Sequence, residues 1–583
     1  METGNCRGTG GVLLNNWPIT DARRAFEVQA DLLTDALKAN GGGVIECPVA
    51  YYSNPMKLVR TTEFEEALRL IRQAGPFTFI TGRAGTGKST LLKYFRETTE
   101  LAAPVLAPTG VAALNVEGET IHRFFRFAPG ITVKDARKKG GSVREPEVYL
   151  KADMLVIDEI SMVRADLLDC MDQFLRGVRK NKLPFGGLRI VAIGDLYQLP
   201  PVVTSSEREA FSQLYDSPYF FASRVAKELI AAGGISFIEL EKVYRQSDPA
   251  FISLLNAVRN RSVTEDDLKK LNSRAHASPV KDVIVLTSVN ASADELNEKR
   301  LKQLPGNHKI FYGSLRGDFP EREAPAEPEL RLKKGARVMC VANDQNGRFV
   351  NGSLGWVVGF GDEKKKEADE FFGDDQADEP SVIVKLDDGR TVSIFSHTWS
   401  VYRSVYDKAT RTLDQEKLGS FTQIPLKLAW AVTIHKSQGK TFDQITIDLG
   451  NGAFAAGQTY VALSRCRSFE GLTLARPVKL QDIRLDYSIV KFVTSLQYRL
   501  SAREMSLEDK IKILQQAAKQ KQRVKIVYLK GKDEKSERIV IPRCVEEDEY
   551  AGHEFLALRA WCELRKEERT FNAERILSIS TEI

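Results

Sequence analysis

Apolar residues recur along this chain in two periods, and the switches between them mark out its elements. From Thr62 to Gln73 they fall on one face of a helix, which leads into a continuous apolar run, Phe77–Ile80. That run ends in glycines and is followed by another helix-compatible segment, Leu91–Arg96. The same succession returns at Met154–Ile157 and at Arg189–Ile193. Strands alternating with helices predict an α/β fold on a parallel sheet with right-handed crossovers. Upstream, Asp21–Asn40 predicts a helix with Phe26, Ala30, Leu33 and Leu37 on one face, stopped by Gly41–Gly43. Gly8–Trp17 has no periodicity, and 1–55 is an N-terminal extension to which no role is assigned.

The pattern changes in the second half. Between Leu330 and Leu426 short apolar strands alternate with Gly, Asn and Asp turns (LRLKKGARVMCVAND, GSLGWVVGF, SVIVKLDDGRTVSI), an all-β signature. The acidic stretch Gly361–Glu379 within it reads as a solvated loop. Ser506–Asp509 is a capping box that opens a helix to about Lys521, and the strands Val524–Gly531 and Glu537–Val545 follow. Ser142–Tyr149, with the basic run Lys134–Lys139 before it, reads as a small inserted subdomain over about 127–150.

A chain of 583 residues is too long for one core and implies about three or four domains. Its 84 basic and 78 acidic residues leave a net charge of only +6, so any basic groove must be local. The seven cysteines (6, 47, 170, 340, 466, 544 and 562) form no Cys-x-x-Cys pair. An odd, scattered set fits a reducing cytosol and argues against a disulfide framework or a zinc site. No apolar stretch approaches a membrane span and no signal-peptide core is visible, so a cytoplasmic protein without a membrane partner is expected.

Chemistry concentrates where the strand runs end. Gly82, Gly87, Lys88 and Ser89 satisfy the G-x-x-x-x-G-K-[ST] phosphate-binding loop, with Gly85, Thr86 and Thr90 in the same turn. Backbone amides there can wrap phosphate oxygens, Lys88 can reach the β- and γ-phosphates, and Ser89 can ligate Mg²⁺. Asp158 and Glu159 close the next strand. Acids at the carboxyl edge of a parallel sheet occupy its usual ligand site: Asp158 would hold Mg²⁺, and Glu159 would orient or deprotonate the attacking water. Gln198, in GDLYQLPPV, stands where an amide could sense the γ-phosphate.

GRAGTGKST, APTGVAALNV, GETIHRFF, DEISM, FGGLRIVAIGDLYQLPPV, LEKVYRQSD, LTSVNASADELN, AWAVTIHKSQGKTFD and YVALSRCRS occur in that order over about Thr62–Leu480. The series resembles a superfamily-1B DNA helicase of the petite-integration-frequency family, with RecD/TraI-like enzymes as cousins. The resemblance implies two RecA-like P-loop NTPase domains that clamp ATP, an SH3-like β insertion in the second, and 5′→3′ movement on single-stranded DNA. The expected boundaries are 56–205 for the first motor domain, 206–325 and 427–500 for the second, 326–426 for the insertion and 501–583 for a C-terminal domain.

By the same resemblance, Arg245 and Arg465 would reach the γ-phosphate from the facing domain, and Gly439 would lie at the nucleotide. For either arginine alone, a surface salt bridge is the plainer reading. Pro108, Thr109 and Gly110, then Thr120, His122, Phe124 and Phe125, and finally His435, Lys436, Ser437 and Gln438 would contact the strand. Phe124 and Phe125 are adjacent, so one would stack on bases while the other enters the core. The family often carries a glutamine in the helix before the phosphate loop to read adenine. Here that helix has none before Gln73, so base selection is left unassigned.

The last ~80 residues resemble a WYL domain, a small SH3-like β-fold, through Tyr528, Pro542, Arg569, Phe571, Arg575 and Ile576. Its three-residue signature is replaced by Glu554-Phe555-Leu556. Arg569 and Arg575 would hold its ligand or pair with acids. The expected activity is ATP- and Mg²⁺-dependent unwinding of forked or structured DNA by a monomer. An ATP-switched, ligand-responsive DNA-binding regulator and a translocase that does not unwind are the alternatives.

Overall fold

Six short apolar runs assemble into one parallel sheet: β1 (Phe77–Gly82), β2 (Val105–Ala107), β3 (Glu119–Thr120), β4 (Met154–Ile157), β5 (Arg189–Ile193) and β6 (Ile235–Leu240), ordered β3-β2-β4-β5-β1-β6. The computed structural model describes residues 61–581 except 74, 129, 205, 276–282, 345, 362–379, 408–411, 531–533 and 551–552. The extension 1–55, its expected helix and the acidic loop after Gly361 lie outside the described residues.

The central strands read as unbroken apolar runs because both faces of the sheet are covered. Phe77, Phe79, Leu155, Ile157, Ile190 and Ala192 point into one core. Ile80, Met154, Val156, Val191 and Ile193 point into the other, against the helices Thr62–Gln73 and Lys88–Thr98. The register sets Ile80 opposite Ile193 and Ile157 opposite Ala192, so the loops leaving β1, β4 and β5 emerge together at one edge.

Two segments expected in the second motor domain belong here instead. β6 pairs with β1 from Phe77↔Ile235 to Gly82↔Leu240, so the first sheet does not end at 205. The helix Tyr487–Glu504 packs on the same sheet, its Phe492 ring lying 6.1 Å from Phe79, 5.7 Å from Phe220 and 4.4 Å from Phe221. Nor is 127–150 a separate subdomain. Its helices, Val133–Gly141 and Glu147–Lys151, bury Ala136, Val148 and Tyr149 in the first domain's core. A Cβ on Gly140 would stand 2.2 Å from the Phe174 carbonyl oxygen, so glycine there lets Val133–Gly141 touch the helix Ala165–Val178 backbone to backbone.

β7 (Ile284–Thr287) begins a second parallel sheet, and the chain then departs into β-structure from Lys309, earlier than the expected 326. The strands are β8 (Lys309–Tyr312), β9 (Ser314–Gly317), β10 (Glu329–Leu332), β11 (Arg337–Cys340), β12 (Leu354–Gly361), β13 (Ser381–Leu386), β14 (Thr391–Ile394), β15 (His397–Asp407), β16 (Thr412–Gln423) and β17 (Leu426–Leu428). They make an antiparallel β14-β13-β12-β11-β17 sheet, the group β15-β16-β9 and the pair β10-β8. β18 (Ala431–Thr433), β19 (Ile445–Asp448) and β20 (Leu472–Leu474) return to complete the second sheet, β18-β7-β19-β20. β21 (Val524–Lys530), β22 (Glu534–Tyr550), β23 (His553–Cys562), β24 (Glu567–Asn572) and β25 (Ile576–Ser580) form the C-terminal antiparallel sheet, covered by the helix Leu507–Gln520, which Ser506 caps through the Asp509 amide. Among the described residues no helix is long and apolar enough to cross a membrane.

One aromatic cluster welds the helices beside β3 to the first domain. Phe125 is fully buried, 5.2 Å from Phe127 and 5.3 Å from Phe174 between ring centroids. Phe125→Ala is therefore expected to cost about 3–5 kcal/mol of stability, read as a fall in the denaturant midpoint. A change below ~1 kcal/mol would mean that the cluster is not a packed core.

Candidate functional site: a cleft between two parallel sheets

The phosphate loop leaves β1 under tight steric control. Gly85 and Gly87 take positive φ values of 81° and 89°. A Cβ on Gly85 would stand 2.5 Å from the Arg245 Cβ, and one on Gly82 would stand 2.5 Å from Thr86 Oγ1. The Lys88 ammonium donates to the Gly82 and Arg83 carbonyls at 2.6 and 3.0 Å. Burial lowers its pKa, while Asp195, Glu159 and Asp158 oppose that shift. Ser89 and Thr90 lie exposed on the first turn of the following helix.

Asp158 and Glu159 emerge at the end of β4, Glu159 in the left-handed region at φ 51°. Burial raises both carboxyls above the usual range, and Asp158 adds to the shift of Glu159. The β5 loop supplies Asp195, wholly buried, which accepts from the Tyr197 amide at 3.1 Å and from Gln198 Nε2 at 3.2 Å. Ser89 and Asp158 offer hydroxyl and carboxylate oxygens, the hard donors that suit Mg²⁺.

The second sheet contributes the facing wall. Tyr460, on the helix Gln458–Leu463, accepts from the Ala84 amide of the phosphate loop at 3.0 Å and donates to Asp195 Oδ2 at 3.4 Å. Arg465 is 1% exposed and donates to the carbonyls of Val461 and Lys440 and to Ser464 Oγ. The expectation that Arg245 also arrives from this wall is corrected. It follows β6, and the neighbouring Tyr244 amide donates to the Gly85 carbonyl at 2.8 Å. Its side chain then crosses to the Ser464 and Gly439 carbonyls at 3.2 and 3.4 Å. Arg245 therefore stands on the first domain, because β6 extends the first sheet. Burial lowers the pKa of both arginines, and the charge of Arg245 lowers that of Arg465 further. Two guanidinium groups held in mutual repulsion are a natural seat for an anion.

The residues expected at the strand divide into two sets. Pro108, Thr109 and Gly110 form the turn after β2, where Thr109 caps the helix Gly110–Asn115 and the Glu323 side chain lies against Gly110. His122 is half-buried and Lys436 exposed, and the His435 ring stacks on the half-exposed Phe454 at 6.3 Å. Five others have side chains engaged within the protein. Thr120 is buried, with its hydroxyl capping the helix Ile121–Phe124 through the Arg123 amide. Phe124 and Phe125 both belong to the aromatic core, which adjacent residues can share because this short helix is covered on both sides. Ser437 is fully buried, its hydroxyl donating to the Ile434 carbonyl. Gln438 points into the cleft, its Nε2 donating to Glu159 Oε2 and Gln198 Oε1, each at 3.1 Å.

Several groups escaped the sequence reading. Asp195, Tyr460 and Phe454 sit within or beside segments already singled out, but their roles depend on which wall each faces. Lys427 and Lys440 flank Met339: Lys427 pairs with it across β17–β11, and the Lys440 amine lies 3.8 Å from its sulfur. Burial and the neighbouring Lys440 and Lys436 push Lys427 down to about 7, and burial pushes Lys440 down to about 8. Arg259 did leave a signal, since it falls four residues after Leu255 and eight after Phe251, on a buried face. Gln73 accepts from Arg69 on an exposed helix face. At the C-terminal end Arg569 is exposed and paired with Glu567 at 3.1 Å, and Arg575 is exposed in a short 3₁₀ turn.

Comparison with known proteins agrees with this architecture. Residues 61–268 match the PIF1-like helicase family and 509–581 the WYL domain. The ATP-dependent DNA helicase PIF1 of Homo sapiens is 36% identical over 477 residues, covering 79% of this chain and 67% of that protein. The crystal structure of Bacteroides sp Pif1 in complex with ADP-AlF4 is 36% identical and covers 76% of this chain and 98% of its own, with a TM-score of 0.66. Pif1 helicase from Bacteroides in complex with ADP-AlF3 and ssDNA is also 36% identical, with the same coverage and a TM-score of 0.53.

Proposed function

The chain belongs to the PIF1-like helicase family of ATP-dependent DNA helicases, and we propose that it tracks 5′→3′ along single-stranded DNA and separates the duplex ahead. The observation that carries the motor reading is the turn His435–Gln438. In it His435 is half-buried against Phe454 and Lys436 is exposed, and three residues after His435 the Gln438 amide bonds Glu159 and Gln198 in the cleft. In this reading one short turn connects a proposed strand contact, His435 and Lys436, to the proposed catalytic carboxylate. The direction of travel comes from the family resemblance. One chain supplies both walls of the cleft, and the monomer is proposed as the working unit.

In this reading the loop amides and Lys88 hold the phosphates of ATP, whose class is that of the nucleotide in the Bacteroides complexes. Ser89 and Asp158 hold Mg²⁺, which neutralises phosphate charge when bound. Glu159 takes the proton of the attacking water, and its raised pKa makes it a stronger base than a solvated carboxylate. Arg245 and Arg465 stabilise charge on the transferring phosphoryl group from opposite walls. Pro108, Thr109, Gly110, His122, His435 and Lys436 hold the strand, joined by Lys427 and Lys440, whose crowded charges a phosphate would relieve. Phe454 beside His435 offers a stacking face, a contact worth about 1–3 kcal/mol per base. Arg569 and Arg575 are proposed to bind the C-terminal domain's ligand, with Arg569 first releasing Glu567.

A fork with a single-stranded 5′ tail is expected to open with ATP and Mg²⁺, and a 3′-tailed fork is not. Opening of the 3′-tailed fork alone would reverse the direction assigned here. In steady-state hydrolysis, Glu159→Gln is expected to lower kcat by about 10²–10⁴-fold and Arg465→Ala by about 10³-fold or more, both still binding a triphosphate analogue. Near-normal turnover in either variant would remove that residue from the mechanism.

A further inference from the structure

A chain of charges joins the C-terminal domain to the cleft. Lys535, on β22, lies 3.3 Å from Glu239 and 2.7 Å from Glu241 at the end of β6. Glu239 is nearly buried and lies 3.8 Å from Arg259. Arg259, 2% exposed, lies 3.7 Å from Asp195 on its other side, with its guanidinium 3.7 Å above the Tyr197 ring. Asp195 accepts from Gln198, and Gln438 donates to both Gln198 and Glu159. The path thus runs from a lysine of the last domain to the carboxylate assigned as base.

Charge balance shows why the lysine matters. Asp195, Glu239 and Arg259 carry two negative charges and one positive, all withdrawn from water. A buried charge that loses its partner is strongly destabilised. Burial raises the Glu239 pKa, but Lys535, Arg259 and Arg83 together bring it below its usual value. Arg259 donates to Asn260 Oδ1 at 3.4 Å and stacks on Tyr197, but it reaches its two carboxylates only through space. Both of its ion pairs exceed hydrogen-bonding distance, and its Nε has no hydrogen-bond partner. A guanidinium suspended between two carboxylates shifts toward whichever is less neutralised. With Lys535 in place Glu239 is satisfied and Arg259 can serve Asp195. Without it, Glu239 draws Arg259 away, and Asp195 keeps Lys88 and its Tyr197, Gln198 and Tyr460 hydrogen bonds but loses one of the charges that position it beside Gln198.

The attachment is otherwise mechanical. Lys510 donates to Ser501 Oγ and to the Ile576 carbonyl, and Ser501 donates to the Leu577 carbonyl. These contacts fasten the domain to the helix Tyr487–Glu504, so the domain stays docked when Lys535 is changed.

We propose that Lys535 is a positioning residue for ATP hydrolysis, through which the C-terminal domain sets the catalytic loop of the motor across the Glu239–Arg259–Asp195 relay. The inference rests on the ATPase reading of the cleft. It is tested on the full chain by ATP hydrolysis with saturating single-stranded DNA. Lys535→Ala is expected to lower kcat by about three- to tenfold, with KM for ATP unchanged and the chain still folded at the assay temperature. Lys535→Arg restores the wild-type rate, and Lys525→Ala, which breaks a surface pair with Glu537 on the same domain, has no effect. The decisive arm is the Glu239→Gln background. A neutral side chain there cannot compete for Arg259, so adding Lys535→Ala changes kcat by less than about twofold. Wild-type kcat in Lys535→Ala, or an equal loss in the Glu239→Gln background, overturns the relay. Absence of DNA-stimulated hydrolysis in the wild type would instead overturn the reading of the cleft.

Discussion

The cleft holds Asp195, Arg259 and Arg465 buried and Lys88, Asp158, Glu159 and Arg245 half-buried, all screened from bulk water, and each charge needs an opposite one. In low dielectric an uncompensated charge costs several kcal/mol, so the side chains cannot be arranged independently. Lys88 lies in the field of three carboxylates, Arg259 answers Asp195 and Glu239, and Arg245 and Arg465 are left facing each other. The last pair is the imbalance that a triphosphate would resolve. Substrate binding in the proposed mechanism therefore completes an electrostatic set that spans both sheets and draws the two walls together.

The same constraint accounts for the division of labour between the walls. The parallel register brings the ends of β1, β4, β5 and β6 to one edge, so the first domain supplies phosphate loop, acids and Arg245 without any long excursion. The second domain supplies few groups, and they arrive on short elements: Tyr460 and Arg465 from one helix end, Gln438 from one turn. Small displacements of the second sheet would move all three at once. The β insertion meets the first domain at the turn where a strand is proposed to lie, with Glu323 against Gly110 and Asn351 bonded to Asn115 at 3.2 Å.

Much of this was legible from residue order, and what was not depends on tertiary placement. The phosphate loop is readable because its glycines answer a local backbone demand, the positive φ of Gly85 and Gly87. The α/β core is readable because buried strands need unbroken apolar runs. Arg245 was put on the wrong wall because nothing in Ile235–Leu240 tells which sheet it joins. One of Phe124 and Phe125 was expected to stack on bases because Tyr149 and Phe174, which cover them, lie elsewhere in the chain. In His435–Gln438 the family resemblance implied four strand contacts. The turn, closed by the Ser437 amide on the Thr433 carbonyl and the Gln438 amide on the His435 carbonyl, sends Ser437 into the core and Gln438 to the cleft.

That turn is where the motor account is most exposed. The direct measurement is the stimulation of ATP hydrolysis by single-stranded DNA in Gln438→Leu, compared with its affinity for the same strand. Coupling through Gln438 predicts that the strand still binds with wild-type affinity while its stimulation of kcat is lost. Full stimulation with the amide removed would contradict the account, because strand and carboxylate would then communicate by another route.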